Sequence, residues 1–233
     1  MPEAWRALLA ARSPLYRRLP AALRARLEPQ VRQFLHRVPI IGCAGQPITD
    51  EVRVVIAALA VLLVQRAGVD AYARLYGVLV YPDEFVVSDT LEDELTGVVT
   101  EGEQTVSGQA HDTDRVLISW RDVIDGDATD GPYNVVLHEF AHYLDHASGG
   151  ALSDGGGAWQ TAYQALCEAV DRGEPTLIDP YGAEDRAEFF AVATETFFEA
   201  AVAMQRQHPQ LYAALRDCYA LDPASWPEGG VAS

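Results

Sequence analysis

The residues best equipped for chemistry stand together in the segment NVVLHEFAHYLD, residues 134–145. His138, Glu139 and His142 form an H-E-x-x-H pattern inside an apolar-periodic run. Residues four apart share one face of an α-helix, so the two imidazoles can reach a single metal ion. Glu139 adjoins the first histidine and is placed to address a water rather than to ligate. Zinc suits such a site: it makes water acidic near neutral pH, and Glu139 can take the proton as general base. With six His and sixteen Glu in 233 residues, composition alone yields about 0.01 such patterns per chain. Val135, Val136, Leu137, Phe140, Ala141 and Leu144 predict that the helix is buried. Buried imidazoles and a buried carboxylate require partners, and a cation supplies them.

A catalytic zinc takes three protein ligands and keeps one open position. His146 lies eight residues past His138, roughly 12 Å along a helix axis, and is expected to be a neighbour or to face solvent. The stretch from Tyr181 to Glu199 offers better candidates. Glu188 and Glu195 are seven apart and share a helical face, and Phe189 and Phe190 imply packing there. Spacing leaves Glu184, Glu188 and Glu195 as rivals for the third ligand. Asp145, on the ligand-bearing face, can accept the second ring N–H of a ligand histidine, or can simply be the polar end of the helix. Glu195 carries the same kind of alternative: a bond to a ligand imidazole, or solvation.

These residues need elements to position them. Residues 3–38 alternate apolar and Arg positions at helical spacing, and Pro14, Pro20 and Pro29 are expected to divide them into short helices. Leu19, Leu23, Leu27, Val31, Leu35 and Val38 form the apolar stripe. The Arg residues on the other faces form a solvated basic surface, or dock on an acidic partner or on this protein's own acidic body. Thr49 or Asp50 can cap a following helix that runs to about Arg66. Gly77–Tyr81 and Val116–Trp120 read as strands, and 97–100 with 104–107 as a hairpin. The Asp- and Gly-rich stretch 122–131 lacks calcium-loop spacing. Helices are expected over 132–147, 158–172, 184–203 and 208–220, with a frayed tail from Pro223.

The segments NVVLHEFAHYLD and IDPYGAEDRAEFFAVATETFFEA resemble the Mlc titration factor A family of zinc metallopeptidases. ITDEVRVVIAALAVLL, YGVLVYPDEF and VLISWRDV fit the same family, so the resemblance spans roughly residues 15 to 215. The Tyr181 to Glu188-Phe189-Phe190 arrangement is also distantly similar to the catalytic domain of anthrax lethal factor. The resemblance implies a gluzincin site with one Zn2+ held by His138, His142 and Glu188. It places the family's active-site tyrosine on Tyr181, which can donate a hydrogen bond to a developing oxyanion. The implied fold is α+β and zincin-like, one domain over 1–233. A small mixed sheet packs on the H-E-x-x-H helix, with helices at both ends. Where the family carries a longer segment with an Asn-Gly turn and a proline, this chain has HASGGALSDGGG, expected to border the cleft.

Composition bounds the function. The 233 residues include 34 acidic and 17 basic positions, for a net charge of −17, and every basic residue is Arg. Residues 1–40 carry a net +6 and the remainder −23. This balance argues against direct nucleic-acid binding, which needs cations against phosphates. The longest apolar run, Val54–Val64, is eleven residues, against about 20 for a bilayer span, so no membrane role is expected. Three cysteines without a CxxC pair fit a reducing compartment, and the cytoplasm is the expected location. The first expectation is a zinc peptidase acting on peptides, with an aminopeptidase-like preference implied by the resemblance. A sheet edge would hold the extended peptide. The second, also implied by the resemblance, is a regulator that binds a transcriptional repressor of the Mlc type. A metal-bound structural domain without turnover is disfavoured by Glu139, since a structural site needs no base.

Overall fold

The structure is a computed structural model and describes residues 1–83, 114–126, 131–154 and 156–227. Three helices open the chain: α1 (Glu3–Arg12), α2 (Pro14–Arg18) and α3 (Ala21–Arg37). Pro14 starts α2, where Ser13 accepts the N–H of Tyr16, and Pro20 precedes α3. Pro29, by contrast, lies inside α3 and does not divide it. Leu23, Leu27, Val31 and Phe34 form one buried stripe across it. Each such side chain contributes about 1.5–3 kcal/mol when fully buried, against about 3 kcal/mol for an interior proline. Pro29 and Ala25 are both exposed, so the carbonyl that loses its partner faces water.

The short strand β1 (Ile40–Gly42) follows, then α4 (Asp50–Leu63), capped by Thr49, whose hydroxyl accepts the N–H of Val52. Every residue from Val54 to Val64 is buried, and α4 packs against α1, α3 and the H-E-x-x-H helix. Strands β2 (Gly77–Tyr81) and β3 (Arg115–Ser119) complete a sheet of order β1-β2-β3. Val80 sits opposite Gly42 on one side and Ile118 on the other. Where a mixed sheet was expected, the three strands among the described residues all run parallel. Parallel neighbours require a crossover, and α4 supplies the one between β1 and β2. The expected hairpin 97–107 lies outside the described residues. Ser119 ends β3 and caps α5 (Trp120–Asp125), so the first part of the Asp-rich stretch is helical.

The H-E-x-x-H segment forms α6 (Val135–Ala147), capped by the side chain of Asn134. Phe140 meets Phe34 and Tyr72 edge-on, with the three centroid distances between 5.3 and 5.9 Å. That cluster anchors one side of α6 and leaves the histidine side to a later helix. The remaining helices are α7 (Gly157–Asp171), α8 (Arg186–Glu199), α9 (Ala201–Gln207) and α10 (Pro209–Tyr219). The helix expected over 184–203 is therefore two, broken at Ala200. Of the stretch expected to fray, Pro223–Ser225 form a 3-10 turn and the Trp226 ring lies 6.3 Å from that of Phe198. The apolar Leu221, Pro223 and Trp226 supply the burial that holds this end down. Residues 228–233 lie outside the described residues.

The basic N-terminal helices pair with this protein's own acids. Arg6 meets Glu28 at 2.7 Å, Arg12 meets Glu51 at 2.5 Å, Arg18 meets Glu199 at 3.2 Å and Arg37 meets Asp70 at 2.5 Å. No helix among the described residues is long and apolar enough to cross a membrane.

Candidate metal centre

Helices α6 and α8 pack face to face. Asp185 caps α8 by accepting the N–H groups of Ala187 and Glu188, which sets Glu188 in its first turn. Glu188, Glu195 and Glu199 then follow at seven- and four-residue steps along one side of α8. The Nε2 atoms of His138 and His142 lie 3.0 Å apart. Glu188 Oε2 is 3.2 Å from the first and 3.3 Å from the second. Tetrahedral bonds of about 2.0–2.2 Å hold donor atoms roughly 3.3–3.6 Å apart, so these two nitrogens and one oxygen fit one small cation. Two Nε2 atoms this close repel unless a proton or a cation lies between them. The N, N, O donor set is chemistry that zinc accepts.

The electrostatics point the same way. Burial alone would lower the pKa of His138, but hydrogen bonds to Glu188 and Glu195 overcome it and hold the imidazole up to about 10. Burial alone would raise Glu188, yet its bonds to His138 and His142 draw it down to about 2. Glu139 is raised by burial, an effect the two histidines oppose and the neighbouring Glu188 and Glu195 reinforce. Three carboxylates thus crowd two imidazoles in a half-buried space. Neutral imidazoles leave a negative site, which a divalent ion would largely neutralise.

Tyr181 sits in the 3-10 turn Pro180–Ala183, opened by Asp179, which accepts the Tyr181 N–H. Its ring centroid is 6.2 Å from that of His138. Partial burial and the charges of Glu188, Glu184, Glu139 and Asp185 raise its hydroxyl to about 12, which keeps it a donor. Glu195 lies on the opposite side of His138 from Glu188: its Oε1 is 2.7 Å from His138 Nδ1. Glu184 is exposed at the end of the 3-10 turn, and His146 is exposed at the end of α6. Asp145 takes up a different task. Its Oδ1 accepts the N–H groups of Leu152 and Ser153 at 3.0 and 2.8 Å, tying the glycine-rich turn to α6. Gly149 and Gly150 open that turn with φ of 72° and 79°, a conformation glycine adopts without strain.

Sequence reasoning missed three further residues beside this cluster. Asn134 donates its backbone N–H to Glu195 and its Nδ2 to Glu199, which in turn accepts from Arg18. An Asn before an apolar run signals a helix cap, but nothing in the local pattern ties it to residues 61 and 65 positions away.

A family model described as glucose-regulated metallo-peptidase M90 matches residues 1–220. An uncharacterized protein of Synechocystis sp. is 40% identical, over 96% of this chain and 86% of that protein. The protein called Mlc titration factor A in Pectobacterium atrosepticum is 32% identical, over 95% of this chain and 87% of its own length. Its namesake in Serratia proteamaculans is 31% identical, over 82% and 77% respectively.

Proposed function

The chain belongs to the glucose-regulated metallo-peptidase M90 family, and on that premise we propose that it is a zinc-dependent peptidase of the gluzincin type with a zincin-like fold. His138, His142 and Glu188 hold the metal. The observation that carries this reading is the convergence of their three donor atoms, all within 4.8 Å of one another, beside Glu139. When bound, zinc supplies a Lewis acid and brings the ionisation of water toward neutral pH. Glu139 takes the proton of the attacking water and delivers it to the departing amine. Burial raises this carboxylate, the direction that suits a group which first accepts and then returns a proton. Tyr181 donates its hydroxyl proton in a hydrogen bond to the carbonyl oxygen as that oxygen gains charge.

The preference we propose is aminopeptidase-like. Glu184 and Asp185 lie close enough to Tyr181 to raise its pKa, and such acidic surroundings favour a substrate with a free amino group. The expected place of action is the cytoplasm, consistent with Cys43, Cys167 and Cys218 being unpaired. A second reading is that the chain binds a transcriptional repressor of the Mlc type, with hydrolysis secondary. The name carried by relatives such as that of Pectobacterium atrosepticum supports it. A peptide-library cleavage assay with zinc-loaded protein, against Glu139→Gln as control, tests the first reading. Cleavage confined to the wild type is expected, whereas no cleavage by a fully loaded wild type overturns it.

A further inference from the structure

We propose that Arg18, on the N-terminal helix α2, is a positioning residue for the metal ligand His138. It acts through one line of hydrogen bonds, Arg18–Glu199–Asn134–Glu195–His138. This inference rests on His138, His142 and Glu188 holding the metal.

Glu195 is 2% exposed and both its oxygens are engaged, Oε1 by His138 Nδ1 at 2.7 Å and Oε2 by the backbone N–H of Asn134. A carboxylate accepting the Nδ1 proton leaves the Nε2 lone pair facing Glu188 and His142, and it sets the ring's orientation. Asn134 couples that carboxylate to the start of α6. Its Oδ1 accepts the N–H of Leu137 at 3.2 Å, and its Nδ2 donates to Glu199 Oε1 at 2.9 Å. Glu199 ends α8, where the helix dipole disfavours a negative charge. Arg18 removes that conflict. Its Nη2 donates to Glu199 Oε2 at 3.2 Å and to the carbonyl of Phe198 at 3.0 Å, one of the last carbonyls of α8. Without Arg18, Glu199 Oε2 loses a donor at the end of α8, the carboxylate that receives Asn134 Nδ2 is set less firmly, and so is the first turn of α6, four residues before His138. The N-terminal element is thereby part of the metal site's support, although it contributes no ligand.

The test is zinc affinity of the full chain by chelator competition. Glu195→Gln is expected to weaken binding by about 10- to 100-fold. Arg18→Ala is expected to weaken it by about 2- to 30-fold, the range for residues along such a network. Arg18→Lys, which keeps the charge, is expected to recover most of the loss. The double variant Arg18→Ala/Glu195→Gln is expected to match Glu195→Gln alone, because the two act in series. In cobalt-loaded protein, the Nδ1 proton of His138 is expected to exchange with solvent faster in Arg18→Ala, which general loosening elsewhere does not reproduce. If Arg18→Ala proves poorly folded, Glu199→Gln interrupts the same line while keeping side-chain size. Wild-type affinity and wild-type exchange in Arg18→Ala or Glu199→Gln overturn the inference, as do losses that simply add. A wild type that takes up no metal instead overturns the function on which the inference rests.

Discussion

Two regions of this molecule meet their acidic residues with different cations. Around the N-terminal helices, carboxylates are paired at or near the surface by guanidinium groups: Glu28 with Arg6, Glu51 with Arg12, Asp70 with Arg37. Between α6 and α8, Glu188 and Glu195 are met by imidazoles and Glu139 is raised by burial. An exposed pair is screened by water and salt and stabilises little. A buried carboxylate cannot rely on water, so its partner must be local and well placed. The contrast teaches that the acids between α6 and α8 crowd two imidazoles in a half-buried space, the arrangement on which the proposed metal site rests, while the Arg-rich surface seats the first helices on the body.

The contrast breaks most sharply at Glu139. Glu139→Gln is expected to lower peptide hydrolysis by about 10²- to 10⁴-fold, the usual contribution of a general base, while zinc content by atomic absorption stays near one per chain. Retained turnover would remove Glu139 from the mechanism. Glu188→Ala is expected to weaken zinc binding by more than the ~10- to 100-fold that loss of an outer hydrogen bond costs. An unchanged affinity by chelator competition would move the ligand elsewhere on α8.

Metal removal and pH sharpen the contrast next. In metal-free protein the pKa of His138 is raised from 6.5 to about 10, so its stabilising effect is full below pH 6.5 and lost as pH rises through about 10. Glu188 is lowered from 4.5 to about 2, so its effect is full above pH 4.5 and lost as pH falls through about 2. Chelator-treated protein is therefore expected to show its highest Tm between pH 4.5 and 6.5 and a decline toward pH 10. Zinc displaces the histidine proton, and loaded protein should lose most of the alkaline decline. Calorimetry that shows the same alkaline slope with and without zinc would place the metal away from His138.

The smallest effect belongs to the surface pairs. Hydrogen bonds to Arg6 outweigh partial burial and draw Glu28 down to about 2. Its contribution is present above pH 4.5 and lost as pH falls toward 2. Glu28→Gln is expected to lower Tm only slightly, and less still in high salt. A large, salt-independent loss would show that the N-terminal pairs are stronger than their exposure implies.

Much of this was readable residue by residue. Thr49 caps α4 because capping is local chemistry, and the apolar run Val54–Val64 is buried because nothing in it tolerates water. Gly77–Tyr81 reads as a strand from composition alone, and the strand expected over Val116–Trp120 lies one residue earlier, at Arg115–Ser119. Other features were hidden. β1 is three residues long and follows a helix directly, too short for a period to show. Pro29 carries a helix-breaking signal that the buried stripe of α3 outweighs. Asp145 shares the ligand-bearing face by spacing, yet its carboxylate meets Leu152 and Ser153, because the glycine turn folds back onto it.

The sequence by itself determined that His138, Glu139 and His142 share one helix, since helical geometry depends only on neighbours a turn away. It also restricted the candidate third ligand to a few glutamates near α8. Which of them lies beside the two Nε2 atoms depends on the tertiary structure. Glu188 stands at the Nε2 side of His138 and Glu195 at the Nδ1 side. Those partners are 46 and 57 residues from the histidines they meet. Their placement follows from how α8 crosses α6, which the packing of whole helix faces sets and no local pattern encodes.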